Sequence, residues 1–160
     1  MDDVSSNSEL LLAGYDAWNR DDMEGWVELL HPDVRIETSG LFPDLASEYR
    51  GHAGARKFWR QMYEPWETFH IDVEHVEDEG DCALASIRFG GRGADSGVEV
   101  DMRFGMLMRV RDGLASELVN RRTFDEARTA LRSGSASRPA RSSRSRGFVY
   151  PGAGRPNDVA

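Results

Sequence analysis

Apolar positions recur with a helical period in the first half of the chain and alternate in the second. In residues 8–20, SELLLAGYDAWNR, Leu11, Tyr15 and Trp18 stand at i, i+4 and i+7 with Leu12 beside them. That spacing predicts an amphipathic helix, with Ser8 as its cap and Glu9 in its first turn. The stretch NRDD breaks the pattern. Asp21 or Asp22 then caps a second, short helix whose buried face is Met23, Trp26, Val27 and Leu30. Pro32 ends it, because proline lacks an N–H and disfavours helical geometry at the residue before it. Residues Val34 to Thr38 alternate as a half-exposed strand does, so the chain folds back sharply at His31-Pro32-Asp33.

Residues 39–51 read as a loop punctuated by glycine and proline. A third helix is predicted over 52–63, with Ala55, Phe58, Trp59 and Met62 on one side, and Pro65 closes it. From there the period is two. Phe69, Ile71 and Val73 alternate with His70, Asp72 and Glu74, and His75 falls in step with the apolar set. A tight turn over 77–81 leads to the strand CALASIRFGGRG. In the next strand Val98, Val100, Met102, Phe104, Met106, Met108 and Val110 hold one face without interruption. Asp112-Gly113 suits a hairpin turn, ASELVNRRTF closes the sheet, and DEARTALR adds a final helical turn or two. Strands joined by short turns pair antiparallel, and helices that precede a sheet pack on one of its faces. The expected fold is α+β: a curved antiparallel sheet shaped as a cone, with three helices of the N-terminal half on its concave face and a pocket between.

Composition limits the rest. The 160 residues suffice for one domain with a real core, expected over 1–132. Residues 133–160 are Ser, Arg, Gly and Pro with almost no core formers, which predicts a disordered tail; Phe148, Val149 and Tyr150 are its one candidate docking point. Five arginines against Asp158 give that tail a charge of +4, so the net charge of −8 leaves −12 on the rest. An acidic body repels phosphate backbones, so the folded part is not expected to bind nucleic acid. No apolar run approaches the length of a membrane span, and the acidic N-terminus argues against a secretory signal. The lone Cys82 cannot form an internal disulfide, which fits a reducing cytoplasm.

Chemistry has few candidates. His70 is a candidate proton carrier near neutral pH, and Asp72, two residues on, shares its strand face and would orient the ring. That face serves catalysis if it looks into the cone and is solvated surface if it looks out. Tyr15, Trp18, Trp59, Tyr63, Met102, Phe104, Met106, Asn120 and Arg122 are candidate pocket walls, each of them equally readable as core or rim. The four histidines never take a metal-binding spacing and one cysteine cannot supply a thiolate set. GGRG at 90–93 has no helix after it to cradle a phosphate. No metal and no cofactor are expected.

In order, the stretches YDAWNRDDMEGWVELLHPDVRIET, YRGHAGARKFW, GDCALASIRFGGRG, MRFGMLMRVRDG and LVNRRTFDEA resemble the nuclear transport factor 2-like superfamily, and within it the SnoaL-like polyketide cyclase and ketosteroid isomerase-like branch. The resemblance spans about residues 8–131. It implies a cone-shaped α+β barrel, a homodimer through the outer sheet face, and a pocket for a small hydrophobic molecule, used by members for isomerase, dehydratase, cyclase or hydrolase chemistry or for no assigned role. The catalytic positions of ketosteroid isomerases match Gly14, Thr38 and Met106 here, so those roles are vacated. Of the epoxide hydrolase set only the arginine has a match, Arg88; its acids fall on Gly90 and Arg122. Trp18-Asn19 replace the Tyr-Asp pair of scytalone dehydratases, whose histidine matches His70. Proton-transfer enzyme, non-catalytic binder and dimeric interaction protein all stay open on the sequence.

Overall fold

The computed structural model describes residues 6–42 and 44–133; the tail expected from 133 onward thus lies outside them except for Ser133. Helix α1 spans Asn7–Asn19. Its cap is Ser6, not Ser8: the Ser6 side chain accepts from the Glu9 N–H and the Glu9 side chain accepts from the Ser6 N–H, a reciprocal pairing that satisfies two otherwise orphaned donors. Asp22 caps α2, Met23–Val27, by accepting from the Gly25 N–H. This helix is shorter than the pattern suggests. Leu30 already belongs to strand β1, Leu30–Glu37, pairing with Ala115 before an irregular register that resumes at Arg35. Pro32 sits inside that irregularity, where its missing N–H costs no ladder bond.

A short strand β2, Glu48–Arg50, comes from the expected loop, and α3 follows over Gly51–Tyr63. Then come β3 (Trp66–Glu79), β4 (Cys82–Gly93), β5 (Glu99–Arg111) and β6 (Leu114–Arg121). The last helix, α4, runs through Phe124–Ser133 and is longer than a turn or two. The sheet order is β2-β1-β6-β5-β4-β3, with all neighbours antiparallel except β1 and β6, which are parallel. The sheet is not closed. Among the described residues no helix is long and apolar enough to cross a membrane.

Period-two alternation separates the two faces of the sheet. Val34, Ile36, Ile71, Ala85, Ile87, Phe89, Phe104, Met106 and Leu118 enter one core with the apolar sides of α1, α2 and α3. Four aromatic rings anchor it. Trp18 stacks on Trp59 at 3.9 Å and meets Trp26 edge-on at 5.1 Å, while Tyr63 stacks on Trp59 at 5.1 Å. The other face carries Cys82, Leu84, Leu107 and Val119, covered by Ala127 and Ala130 of α4. Gly105 makes that cover possible. A Cβ there would lie 2.2 Å from the Thr123 carbonyl oxygen, so only glycine lets the chain cross β5 into α4.

Candidate functional site

Between α1, α3 and the inner sheet face lies a cavity of about 60 Å³. Its wall takes Ile71 from β3, Phe89 from β4, Met106 from β5, Leu118 from β6 and Ile36 from β1. Five flat strands at about 4.8 Å spacing would span roughly 19 Å, far wider than such a space. The sheet therefore curls around it, as expected of a cone.

Of the residues that sequence reasoning put forward, Tyr15, Trp18, Phe104, Met106 and Asn120 line this cavity. Trp59 and Tyr63 do not; they stand behind Trp18, and the Tyr63 hydroxyl donates to the Trp18 carbonyl at 2.5 Å. Met102 is half-buried beside the core, two residues up the strand from Phe104. Arg122 is a correction of a different kind. It follows the last residue of β6, where the chain has turned out, and it is exposed and paired with Glu126 at 3.3 Å.

His70 and Asp72 also fall elsewhere. The His70 Nε2 lies 3.0 Å from Asp72 Oδ1, so the pair does form. It forms on the outer face, with the His70 side chain 65% exposed, because Ile71 and Phe69 take the inner positions of β3. Around it Arg88 pairs with Asp101 at 2.7 Å and Arg103 with Glu74 at 2.7 Å. The two arginines hold Glu74 and Asp101 below the usual carboxylate range, mainly through these hydrogen bonds. The apolar reading of His75 is overturned as well. A bulge between Val73 and His75 shifts the register, so Val76 points in while His75 points out, edge-on to Phe124 at 5.4 Å and 2.8 Å from Glu77.

The cavity is poor in chemistry by contrast. Among the described residues that line it none carries a charge. Asn120 donates from its amide nitrogen to the Glu37 carbonyl at 3.0 Å, which leaves Oδ1 as its free end. The Tyr15 hydroxyl has no hydrogen-bond partner among the described residues, and burial raises its pKa. Gly14 and Met106, two of the positions matched to ketosteroid isomerase catalysts, line the wall with no acid or base to offer. The third, Thr38, is fully buried and spends its hydroxyl on the Ala46 carbonyl at 2.8 Å.

Sequence reasoning missed much of the wall. Leu10, Trp26, Phe42, Phe58 and Phe89 line it too. Their periodicity marks them as core, and nothing in a periodic pattern distinguishes a core side chain with a void beside it from one without. The outer face holds a further surprise. The alternation of β1 sets Arg35 and Glu37 on the side away from Val34 and Ile36, where a half-exposed strand meets solvent, yet Glu37 is only 3% exposed. It accepts from Arg35 at 2.8 Å and from Arg121 at 2.9 Å, and Ser39 bonds the same carboxylate at 3.1 Å.

The SnoaL-like domain family matches residues 11–118. The chain belongs to that family. Among curated proteins no match was found. Similar solved structures include TerC co-crystallised with polyporic acid, at 21% identity and TM-score 0.66, covering 83% of this chain and 99% of TerC. A SnoaL-like polyketide cyclase from Jannaschia is 22% identical with TM-score 0.65, covering 82% of this chain and 97% of its own. A protein of ketosteroid isomerase-like fold from Catenulispora acidiphila, in complex with trimethylamine, is 14% identical with TM-score 0.65, covering 74% and 88%. At these identities the likeness carries the fold, which other neighbours describe as NTF2-like and cystatin-like.

Proposed function

We propose that this SnoaL-like domain binds one small, uncharged, largely apolar molecule in the cavity under α1 and does no acid–base chemistry on it. The observation that carries the reading is the wall itself: apolar side chains dominate it, and the Tyr15 hydroxyl and Asn120 Oδ1 are polar ends with no partner among the described residues. Such a wall rejects ions, because no partner repays their desolvation. It orients a neutral guest through one donor and one acceptor. Relatives of this fold crystallised with polyporic acid and with trimethylamine support a small-molecule role in general terms.

The proton-transfer alternative needs a base within reach of the guest. His70 and Asp72 look away from the cavity, and the Tyr15 hydroxyl, held protonated by its surroundings, is a donor rather than a base. The cavity is also small beside the roughly 300–1,000 Å³ of ordinary ligand sites, so its guest is small or widens it. The proposal includes a second copy of the chain on the outer face, where alternating paired charges on β3, β4 and β5 offer a self-complementary surface, and a cytoplasmic setting for the unpaired Cys82.

Thermal denaturation with cyclopentanone, butyrate and butylammonium tests the binding. A ligand that binds only the native state raises the midpoint. Cyclopentanone raises it, the two ions do not, and Asn120→Leu removes the advantage of cyclopentanone over cyclopentane. Equal stabilisation by the ions, or none by any neutral compound, overturns the reading. Sedimentation equilibrium of the whole chain decides the homodimer.

A further inference from the structure

We infer that Leu10 is the gate of the cavity, and that a guest passes between the first turns of α1 and the β5–β6 hairpin. The inference rests on the cavity being a binding site, as proposed above. Leu10 is half-buried and belongs to two spaces at once. Its side chain lines the inner cavity, and it also floors a hollow at the surface between Ala13 and Glu9 on α1 and Val110 and Gly113 on the hairpin. Leu10 is thus the side chain that the inner cavity and the surface hollow have in common.

The way α1 is fastened makes this seam the one that yields. At its start the Asn7 side chain donates to the Gly80 and Cys82 carbonyls at 3.0 and 3.3 Å, and the Ser8 N–H donates to Asp78 at 2.8 Å. At its end the Asn19 amide makes a reciprocal pair with the Ile71 backbone, both bonds 2.8 Å. All five bonds run to β3, β4 and the turn between them, on one side of the helix. Toward β5 and β6 the hydrogen bonds found among the described residues include none from α1. On that side Leu10 and Ala13 of α1 face Val110 and Gly113 across the hollow. Gly113 adds room, since a Cβ placed there meets nothing within 4 Å. Apolar contact without directional bonds opens at low cost, whereas the bonded side must break hydrogen bonds to move.

The hollow also filters. Glu9 is its only charged residue, and that carboxylate is turned back on the Ser6 N–H. Ser6 and Asn7 also border the hollow, but their side chains are bonded to the Glu9 N–H and to the Gly80 and Cys82 carbonyls, so a neutral guest meets no polar group free to hold it at the mouth.

Xenon is a suitable probe, because it is apolar, uncharged and fits a dry cavity of this kind. Saturation-transfer NMR of hyperpolarised xenon on the whole chain reads both the bound resonance and the exchange rate. Leu10→Ala raises the exchange rate about fivefold or more, and Leu10→Phe lowers it by a similar factor, as expected when the moving side chain loses or gains apolar contact. Leu12→Ala, on the exposed side of the same helix, leaves it unchanged. Phe42 also lines the cavity, edge-on to Phe104 at 6.0 Å, so Phe42→Ala is the rival opening. A bound resonance whose exchange ignores Leu10, or responds more to Phe42→Ala, overturns the gate and leaves the cavity standing. Absence of any bound resonance in the unaltered chain overturns the binding reading and the gate with it.

Discussion

The inner and outer faces of the sheet are built from the same strands, and they treat polar groups in opposite ways. On the outer face the charged side chains described above are paired: Glu37 with two arginines, Arg88 with Asp101, Arg103 with Glu74, His70 with Asp72. On the inner face the polar groups are few, and among the described residues the Tyr15 hydroxyl and the Asn120 Oδ1 have no hydrogen-bond partner; both border the cavity. The fully enclosed side-chain polar atom without a partner among the described residues is instead Arg109 Nη2, which does not line the cavity. The outer charges are spent on one another, while the polar ends inside are within reach of a guest. The conspicuous ionisable residues His70 and Asp72 lie on the face turned away from the cavity.

That contrast breaks most visibly in the inner core. Trp18→Ala removes the ring that stacks on Trp59, meets Trp26 and walls the cavity, and is expected to lower unfolding stability by about 4 kcal/mol in urea titration. If the loss is under a third of that, the aromatic cluster is not what holds the helices to the sheet. Glu37→Gln comes next. It leaves Arg35 and Arg121 without the shared carboxylate in a buried place, an expected loss of about 3 kcal/mol. An unchanged urea midpoint refutes the view that this carboxylate organises the β1–β6 side.

A third test uses alkali. Burial pushes the Cys82 thiol up to about 11 from its ordinary 9.0, and burial pushes the Tyr63 hydroxyl up to about 12 from 10.0. The native state therefore holds these protons more tightly than the unfolded chain. Their contribution is whole below about pH 9 and is lost as pH rises through 11 and 12. For the thiol alone the decline amounts to about 3 kcal/mol. Cys82→Ala flattens the part between about pH 9 and 11. A stability curve level across that window contradicts the packing of α4 over Cys82.

The smallest effect sharpens the comparison rather than breaking it. His70→Ala and Asp72→Ala each change stability by less than about 0.5 kcal/mol, as exposed ion pairs do, and leave cyclopentanone binding untouched. Loss of that binding on either substitution returns the outer pair to the site.

Most of the fold was legible in the residues. Periodicity located α1, α2, α3 and the four long strands, and the apolar face expected from Val98 to Val110 identified the inner side of β5 except at Val98, which precedes the strand and is exposed. Three things escaped. β2 has only three residues, too few for alternation to show. The full length of α4 depends on its seat over Leu107 and Val119, and on Gly105 beneath Thr123, none of which is local in sequence. The bulge after Val73 reverses the faces of everything beyond it, which a strict period of two cannot anticipate. The candidate site was less legible, because a wall residue and a core residue have the same apolar signature.

By itself, then, the order of apolar and polar side chains determined which segments are helix or strand and which face of most strands is buried. Those are properties of neighbours a few positions apart, where spacing and sterics suffice. Tertiary structure decided which way His70 looks, that Glu37 is buried between two arginines, and that Tyr15, Asn120 and Leu10 meet around one void. These depend on the curl of the sheet and the seating of α1, which bring together residues as many as 110 positions apart and leave no trace in any short stretch of chain.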